Sequence, residues 1–318
     1  MNGLSGLNGR AEQEPDPRFL QAAGLLPSRL RRAAEALPYG EQRRVEELRL
    51  RAGQPVTAVW PEGERPLPGC GENVRGSELH QIIEIATQAS AHTVLDRVRN
   101  GFVTVRGGHR IGICGSAVMK DGAVSNLRQL SSLSIRVARA VPGAAGQVLD
   151  ELLEDGRLQS TLILSPPGWG KTTLLRDLIR TVSDGAGPPP MRVGVADERG
   201  ELAALYDGVP QLDVGRHTDV MDGCPKEAGL LMLLRGMNPQ VLAADEITAP
   251  GDCAALEMAA NCGVTLLTTA HGESLGDLES RPLYRRLLEQ NIFRRVVTIR
   301  RENGARSYCV TRLEGRRC

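Results

Sequence analysis

The pattern of hydrophobic and polar positions changes character near the middle of the chain. Up to about residue 140, apolar residues alternate with polar ones or recur at helical spacing. RFLQAAGLLPSRLRRAAEA (18–36) predicts a helix in two pieces, broken at Pro27. VEELRLRAGQPVTAVW (45–60) alternates and predicts a pair of strands. ELHQIIEIATQAS (78–90) sets Leu79, Ile82, Ile83 and Ala86 on one helical face. GFVTVRGGHRIGICG (101–115) places two strand-like runs about Gly107-Gly108, a hairpin signal. LSSLSIRVARA (130–140) alternates again. Leu133, Ile135 and Val137 share one face, Arg136 lies on the other and Arg139 ends the strand. These elements predict a smaller α/β domain over 18–140 with a mixed or antiparallel sheet. Residues 1–17, mostly Gly, Asn, acid and Pro, predict a disordered tail. VPGAAG interrupts the pattern and predicts a linker at about 138–146.

From about residue 147, short unbroken apolar runs alternate with helical patterns: TLIL, RVGVA, QVLAA, VTLLTT and FRRVVTI. The first four have the composition of strands buried on both faces. Their alternation with helices predicts a mainly parallel sheet, covered on both sides, over 147–318. The chain closes in a predicted hairpin with Asn303-Gly304 at its turn.

The chemistry gathers at the ends of these runs. SPPGWGKTTLL (165–175) stands between the TLIL strand and a helical pattern, the setting of a phosphate-binding loop. Ser165, Pro166, Pro167, Gly168, Trp169, Gly170, Lys171, Thr172 and Thr173 are the expected nucleotide-binding residues. Backbone N–H groups at a helix start cradle phosphate oxygens, Lys171 reaches the β- and γ-phosphates, and the Thr172 hydroxyl takes one Mg²⁺ position. Ser165 stands where the pattern G-x-x-x-x-G-K-[ST] has its first glycine. After the QVLAA strand, Asp245 is the expected Mg²⁺-side acid and Glu246 the base that orients and deprotonates water. VADERGE brings Asp197, Glu198 and Arg199 to the second strand end, with Glu198 as a further acid near the nucleotide. LLTTAHG brings Thr269 and His271 to the fourth, with His271 able to hydrogen-bond the γ-phosphate or the water. Ligands of open α/β sheets bind outside the carboxyl ends of the strands, and all four motifs sit there.

Composition narrows the partners. Lys+Arg 39 against Asp+Glu 38 gives a net charge of +1, and aromatics are 3%. Neither the electrostatic footprint nor the stacking material of a nucleic-acid binder is present. The seven cysteines (70, 114, 224, 253, 262, 309 and 318) have no C-x-x-C spacing and predict a reducing compartment. No apolar run is long enough to span a bilayer, so any membrane role needs a partner to hold the chain there.

The second half of the chain resembles the secretion and pilus-retraction ATPases, a branch of RecA-like hexameric motors. LLMLLRGMNPQVLAADE, VADERGE and TTAHG carry that resemblance. From about residue 40 the chain more closely resembles the sporulation stage III protein AA family of endospore-forming bacteria. GFVTVRGGHRIGICG, LSIRVARAV, SPPGWGKTTLLRDLIR and GRHTDVMDGCPKEAGLLMLLRGMNPQVLAADEI carry it across both domains. The resemblance implies a RecA-like P-loop core and an ATPase using ATP and Mg²⁺, in the mother-cell cytoplasm. It also implies a hexameric ring, docked on a membrane-embedded sporulation channel protein from the same operon. The secretion ATPases present basic residues to the nucleotide from the end of the first domain, which here points to Arg136 and Arg139 as arginine fingers. Two alternatives remain at this point, a nucleotide-gated scaffold with negligible turnover and a nucleic-acid-dependent RecA-like ATPase.

Overall fold

In the computed structural model, which describes residues 14–87, 101–302 and 305–313, the chain divides into two units, Met1–Arg139 and Ala140–Cys318. The first unit holds helices α1 (Pro17–Ala23), α2 (Ser28–Glu35) and α3 (Gly76–Thr87). Its strands are β1 (Glu47–Arg51), β2 (Thr57–Trp60), β3 (Gly63–Pro66), β4 (Phe102–Thr104), β5 (Arg110–Lys120) and β6 (Ala123–Arg136). They form one sheet in the order β3-β2-β1-β6-β5-β4, antiparallel at every pairing. The register explains the alternation. Leu48 faces Ile135 and Leu50 faces Leu133, while Ile111 and Ile113 meet the same two residues from β5. All six are buried, and Phe19, Leu30, Leu79 and Ile82 from the helices join the same core.

The edges of this unit differ from expectation. Asp16, expected in the disordered tail, is buried and caps α1 by accepting from the Arg18 N–H at 3.0 Å; residues 1–13 lie outside the described residues. Strand β6 ends at Arg136 rather than Arg139. The Arg139 guanidinium donates to the Asp16 carboxylate and to the backbone carbonyls of Gln42 and Val45. The expected linker is tied down on its far side too, where Gly143 and Ala145 donate their N–H groups to Asp177 at 2.9 and 2.8 Å. The predicted β4–β5 hairpin continues well past Gly115, because β5 and β6 pair on to Lys120↔Ala123 through three register shifts.

His109, at the hairpin turn, is fully buried. Its Nδ1 accepts from the Ala138 N–H at 3.1 Å. Burial, with Arg18 and Arg139 nearby, pushes its pKa from 6.5 down to about 4. The folded chain therefore excludes a proton that the unfolded chain accepts. Stability from this group is complete above about pH 6.5 and falls as the pH drops toward 4, by about 3 kcal/mol in all. Denaturant titrations of the parent chain and His109→Gln across that window should diverge progressively, the variant having the flatter profile. Parallel profiles would remove His109 as the cause.

The second unit alternates strand and helix. The strands of its main sheet are β7 (Thr161–Ser165), β8 (Val193–Asp197), β9 (Thr218–Asp222), β10 (Val241–Ala244), β11 (Thr265–His271), β12 (Arg295–Glu302) and β13 (Ala305–Arg312). Its principal helices are α4 (Lys171–Asp184), α5 (Lys226–Gly236), α6 (Pro250–Asn261), α7 (Leu275–Ser280) and α8 (Pro282–Glu289). The sheet order is β9-β8-β10-β11-β7-β12-β13, parallel throughout except for the β12–β13 hairpin. Every residue of β7, β8 and β10 is buried. A period of two is hidden inside those apolar runs. Ile163, Val193, Val195, Val241 and Ala243 pack in one core with the apolar side of α4. Leu162, Leu164, Ala196, Leu242 and Ala244 pack in another with α5, α6 and α8. Strand β9, TDVMD, is half-buried at the sheet edge and has no apolar run to announce it. The Asn303-Gly304 turn lies outside the described residues, while the strands on either side pair in register to Glu302↔Ala305.

Candidate active site

Strand β7 delivers Ser165, fully buried, to the start of the loop. Ser165 is still in extended strand backbone there, so no glycine conformation is required of it, and its hydroxyl donates to the Pro166 carbonyl at 3.0 Å. The conformations that favour glycine come later, at Gly168 (φ +76°) and Gly170 (φ +102°). Gly170 is the N-cap of α4 and brings no side chain to it, which leaves the orphan N–H groups of the first turn for an anion. Pro167 and Gly168 are exposed, and Trp169 between the two glycines is half-buried.

Lys171 is only 4% exposed, and its ammonium uses all three of its protons. It donates to the carbonyls of Ser165 (3.1 Å) and Pro166 (3.2 Å) and to Nδ1 of His271 (2.8 Å). Burial lowers the Lys171 pKa, and the Glu246 and Asp245 carboxylates oppose that. Because a lysine ammonium can only donate, His271 must accept at Nδ1 and carry its proton on Nε2. Nε2 lies 2.8 Å from Oε1 of Glu246 and donates to it. A continuous chain of hydrogen bonds therefore joins the loop lysine to the expected base.

The carboxylate pair follows β10. Asp245 accepts from the hydroxyls of Thr172 and Thr269, both at 2.5 Å. Burial raises its pKa, with Glu246 adding to the rise and the two threonines opposing it. Glu246 adopts φ +52°, a left-handed conformation that costs a non-glycine residue of order 1 kcal/mol or more and concentrates at functional sites. Its N–H donates to Thr269 Oγ1 at 2.8 Å, and Arg199 Nη1 donates to its Oε2 at 2.7 Å. Strand order explains the meeting: β10 lies between β8, which leads to Arg199, and β11, which carries Thr269 and His271 as its own last residues.

Other expected residues have partners of their own, with Glu198 lining one small pocket together with Asp245 and Glu246. Asp197 accepts four backbone N–H groups, from Glu201, Leu202, Ala203 and Ala204, and so shapes the loop after β8. Glu198 pairs with the buried Lys226 at 2.6 Å, while Arg199 is taken by Glu246. Arg136 and Arg139 belong to the first unit, where Glu47 and Asp16 respectively are their acidic partners. A cation not foreseen in the sequence does reach the loop. A methyl group placed on Gly170 would stand 3.1 Å from Cζ of Arg306 and 3.3 Å from its Nε. The available signal was the two-residue Asn303-Gly304 turn, which fixes the β12–β13 register.

The sequence profile described as "Sporulation stage III, protein AA" matches residues 18–310. Stage III sporulation protein AA of Bacillus subtilis (strain 168) is 37% identical over 285 residues, covering 89% of this chain and 92% of that protein. Among solved structures, the ATPase DotB of Legionella pneumophila superposes with a TM-score of 0.58 at 15% identity, over 87% of this chain and 78% of DotB. The pilus retraction motor PilT, solved with bound ADP, gives 0.56 at 15% identity, over 84% of this chain and 78% of PilT. At that identity the likeness concerns the fold, which is that of the RecA-like secretion ATPases with a parallel-rich sheet. The profile and the Bacillus relative both span most of the sequence, and the chain belongs to the sporulation stage III protein AA family.

Proposed function

We propose that this chain is an ATP-hydrolysing motor of the mother cell that powers or assembles a secretion-like channel complex between mother cell and forespore. The observation that carries the hydrolase reading is the continuous hydrogen-bond chain Lys171–His271–Glu246 beside Thr172–Asp245–Thr269. Lys171, Glu246 and Asp245 meet at the carboxyl ends of neighbouring strands, and this reading gives them the roles of phosphate-binding cation, water-activating base and metal-side acid. In hydrolysis, Glu246 takes the proton of a water whose oxygen bonds to the γ-phosphorus. The bond from that phosphorus to the β–γ bridging oxygen breaks, and ADP leaves. His271 and Arg199 hold the Glu246 carboxylate in place for that transfer. Lys171 exchanges its carbonyl and imidazole acceptors for phosphate oxygens when nucleotide binds.

Magnesium fits the residues present. The described residues contain no cluster of three or more His, Cys, Asp or Glu that could hold a metal. Mg²⁺ typically uses one or two carboxylates together with substrate phosphates. Asp245 and the Thr172 hydroxyl meet at one point and offer that kind of hard oxygen donor set. Bound there, the ion would neutralise charge on the β- and γ-phosphate oxygens.

The motor reading includes a ring in which one chain completes its neighbour's site. Both candidate fingers have acidic partners in their own unit, Glu47 for Arg136 and Asp16 for Arg139, which a finger role would have to exchange for phosphate. Arg139 would have to leave three acceptors. No helix among the described residues is long and apolar enough to cross a membrane, and the reading therefore includes a membrane-embedded partner. Light scattering with and without a non-hydrolysable ATP analogue tests the ring. The mass of six chains is expected with the analogue. A single-chain mass at every nucleotide concentration would remove the ring and the neighbour's arginine together.

A further inference from the structure

The last hairpin overhangs the phosphate loop. Strand β12 pairs with β7 only as far as Thr298↔Leu164 and then runs on to Glu302. Ile299 is level with Ser165, the last residue of β7, and the three residues after it carry β12 roughly 10 Å past the end of its neighbour, on the side where the loop begins. Strand β13 returns antiparallel, with Arg306 directly opposite Arg301. The guanidinium of Arg306 lies against Gly170, where an added methyl would meet Cζ, Nε and Nη1 at 3.1, 3.3 and 3.4 Å. Gly170 is the N-cap of α4 and directly precedes Lys171.

Two like charges facing each other across an antiparallel pair destabilise it. Arg301 and Arg306 are such a pair, and both are exposed. An anion held between the hairpin and the loop would relieve the repulsion. The orphan N–H groups at the start of α4 face the same anion. Arginine suits this position because its planar fork binds two phosphate oxygens at once and stays charged at any working pH.

We infer that Arg306 is a phosphate-binding residue of its own chain's nucleotide site, contacting the bound nucleotide opposite Lys171, with Arg301 adding to the local positive field. This rests on the nucleotide-hydrolase reading above. It gives the loop a second cation from the same chain, and it makes the hairpin an element whose position depends on whether nucleotide is bound.

Titration calorimetry with ADP, on the full chain and on Arg306→Ala, Arg306→Lys and Lys171→Ala, tests the inference. A charge-assisted contact to phosphate predicts that Arg306→Ala weakens ADP binding by about tenfold or more. Arg306→Lys, which keeps the charge but not the fork, should recover only part of that loss. In steady-state hydrolysis of ATP, Arg306→Ala should raise KM and leave kcat within a few fold, because the contact is made equally in ground and transition states. Arg306 is exposed and its removal relieves the repulsion from Arg301, so the melting temperature of Arg306→Ala without nucleotide should hold or rise slightly. ADP binding by Arg306→Ala within twofold of the parent, with Lys171→Ala severely weakened, would overturn the role of Arg306 and leave the nucleotide site standing. A kcat loss at unchanged KM would also overturn it, by assigning Arg306 to the transition state. Failure of the parent chain to bind ADP at all would overturn the nucleotide reading and this inference with it.

Discussion

Replacing Glu246 by glutamine is expected to leave ATP binding within a few fold of the parent chain and to cut turnover by about 10²–10⁴, the usual worth of general-base action. The amide has nearly the shape of the carboxylate but cannot accept the proton of the attacking water. The hydrogen bonds sharpen this expectation. Both Glu246 oxygens accept, one from Arg199 and one from His271. An amide has one oxygen, so its NH₂ must face one of two donors, and one contact is lost. His271 cannot adapt by changing tautomer in the nucleotide-free chain, where Lys171 donates to its Nδ1, and it regains that freedom once Lys171 turns to phosphate. The loss of turnover is therefore that of the base itself. Single-turnover hydrolysis at saturating ATP, read beside equilibrium binding, separates the two quantities.

Lys171→Ala is expected to act on binding, weakening nucleotide affinity by about 10²-fold or more, because charge-assisted contacts to two phosphates disappear together. Stability without nucleotide should change little. The ammonium is buried and its pKa is lowered by that burial, so its removal relieves a desolvation cost; against this the Pro166 carbonyl and the His271 nitrogen lose a donor, while the Ser165 carbonyl keeps the Gly272 N–H. The readout is the thermal shift produced by ADP. A ligand at 100 times its Kd stabilises a fold by about 2.7 kcal/mol, and the same concentration should give Lys171→Ala almost none of that. A normal ADP-induced shift in the variant would take Lys171 out of the phosphate site.

The elements and the chemistry were legible to different depths. TLIL, RVGVA and QVLAA announced the central strands because residues buried on both faces must be apolar at every position. The strand–loop–helix around Lys171 and the position of Asp245-Glu246 after β10 followed, because each needs only a strand end and a few consecutive residues. TDVMD gave no such signal, since an edge strand half-open to solvent carries polar residues. What the sequence left hidden were contacts set by strand order. Arg199 beside Glu198 invites a local ion pair, yet β8 lies next to β10, and Arg199 reaches Glu246 while Glu198 turns to Lys226. Arg139 looked available at the end of a strand. Its acceptors on Asp16, Gln42 and Val45 come from segments distant in sequence, which no local pattern joins to it. Arg306 was hidden for a similar reason: its nearness to Gly170 depends on how far β12 runs past β7.

Phosphate release from MgATP, measured for the full chain beside Glu246→Gln at saturating nucleotide, tests the hydrolase claim most directly. Repeated turnover by the parent chain is expected, many phosphates per site, with the variant near background although it still holds ATP. Binding of ATP by the parent without phosphate release would contradict the account and leave a nucleotide-gated scaffold. Equal release by both chains would contradict the assignment of Glu246 as the base.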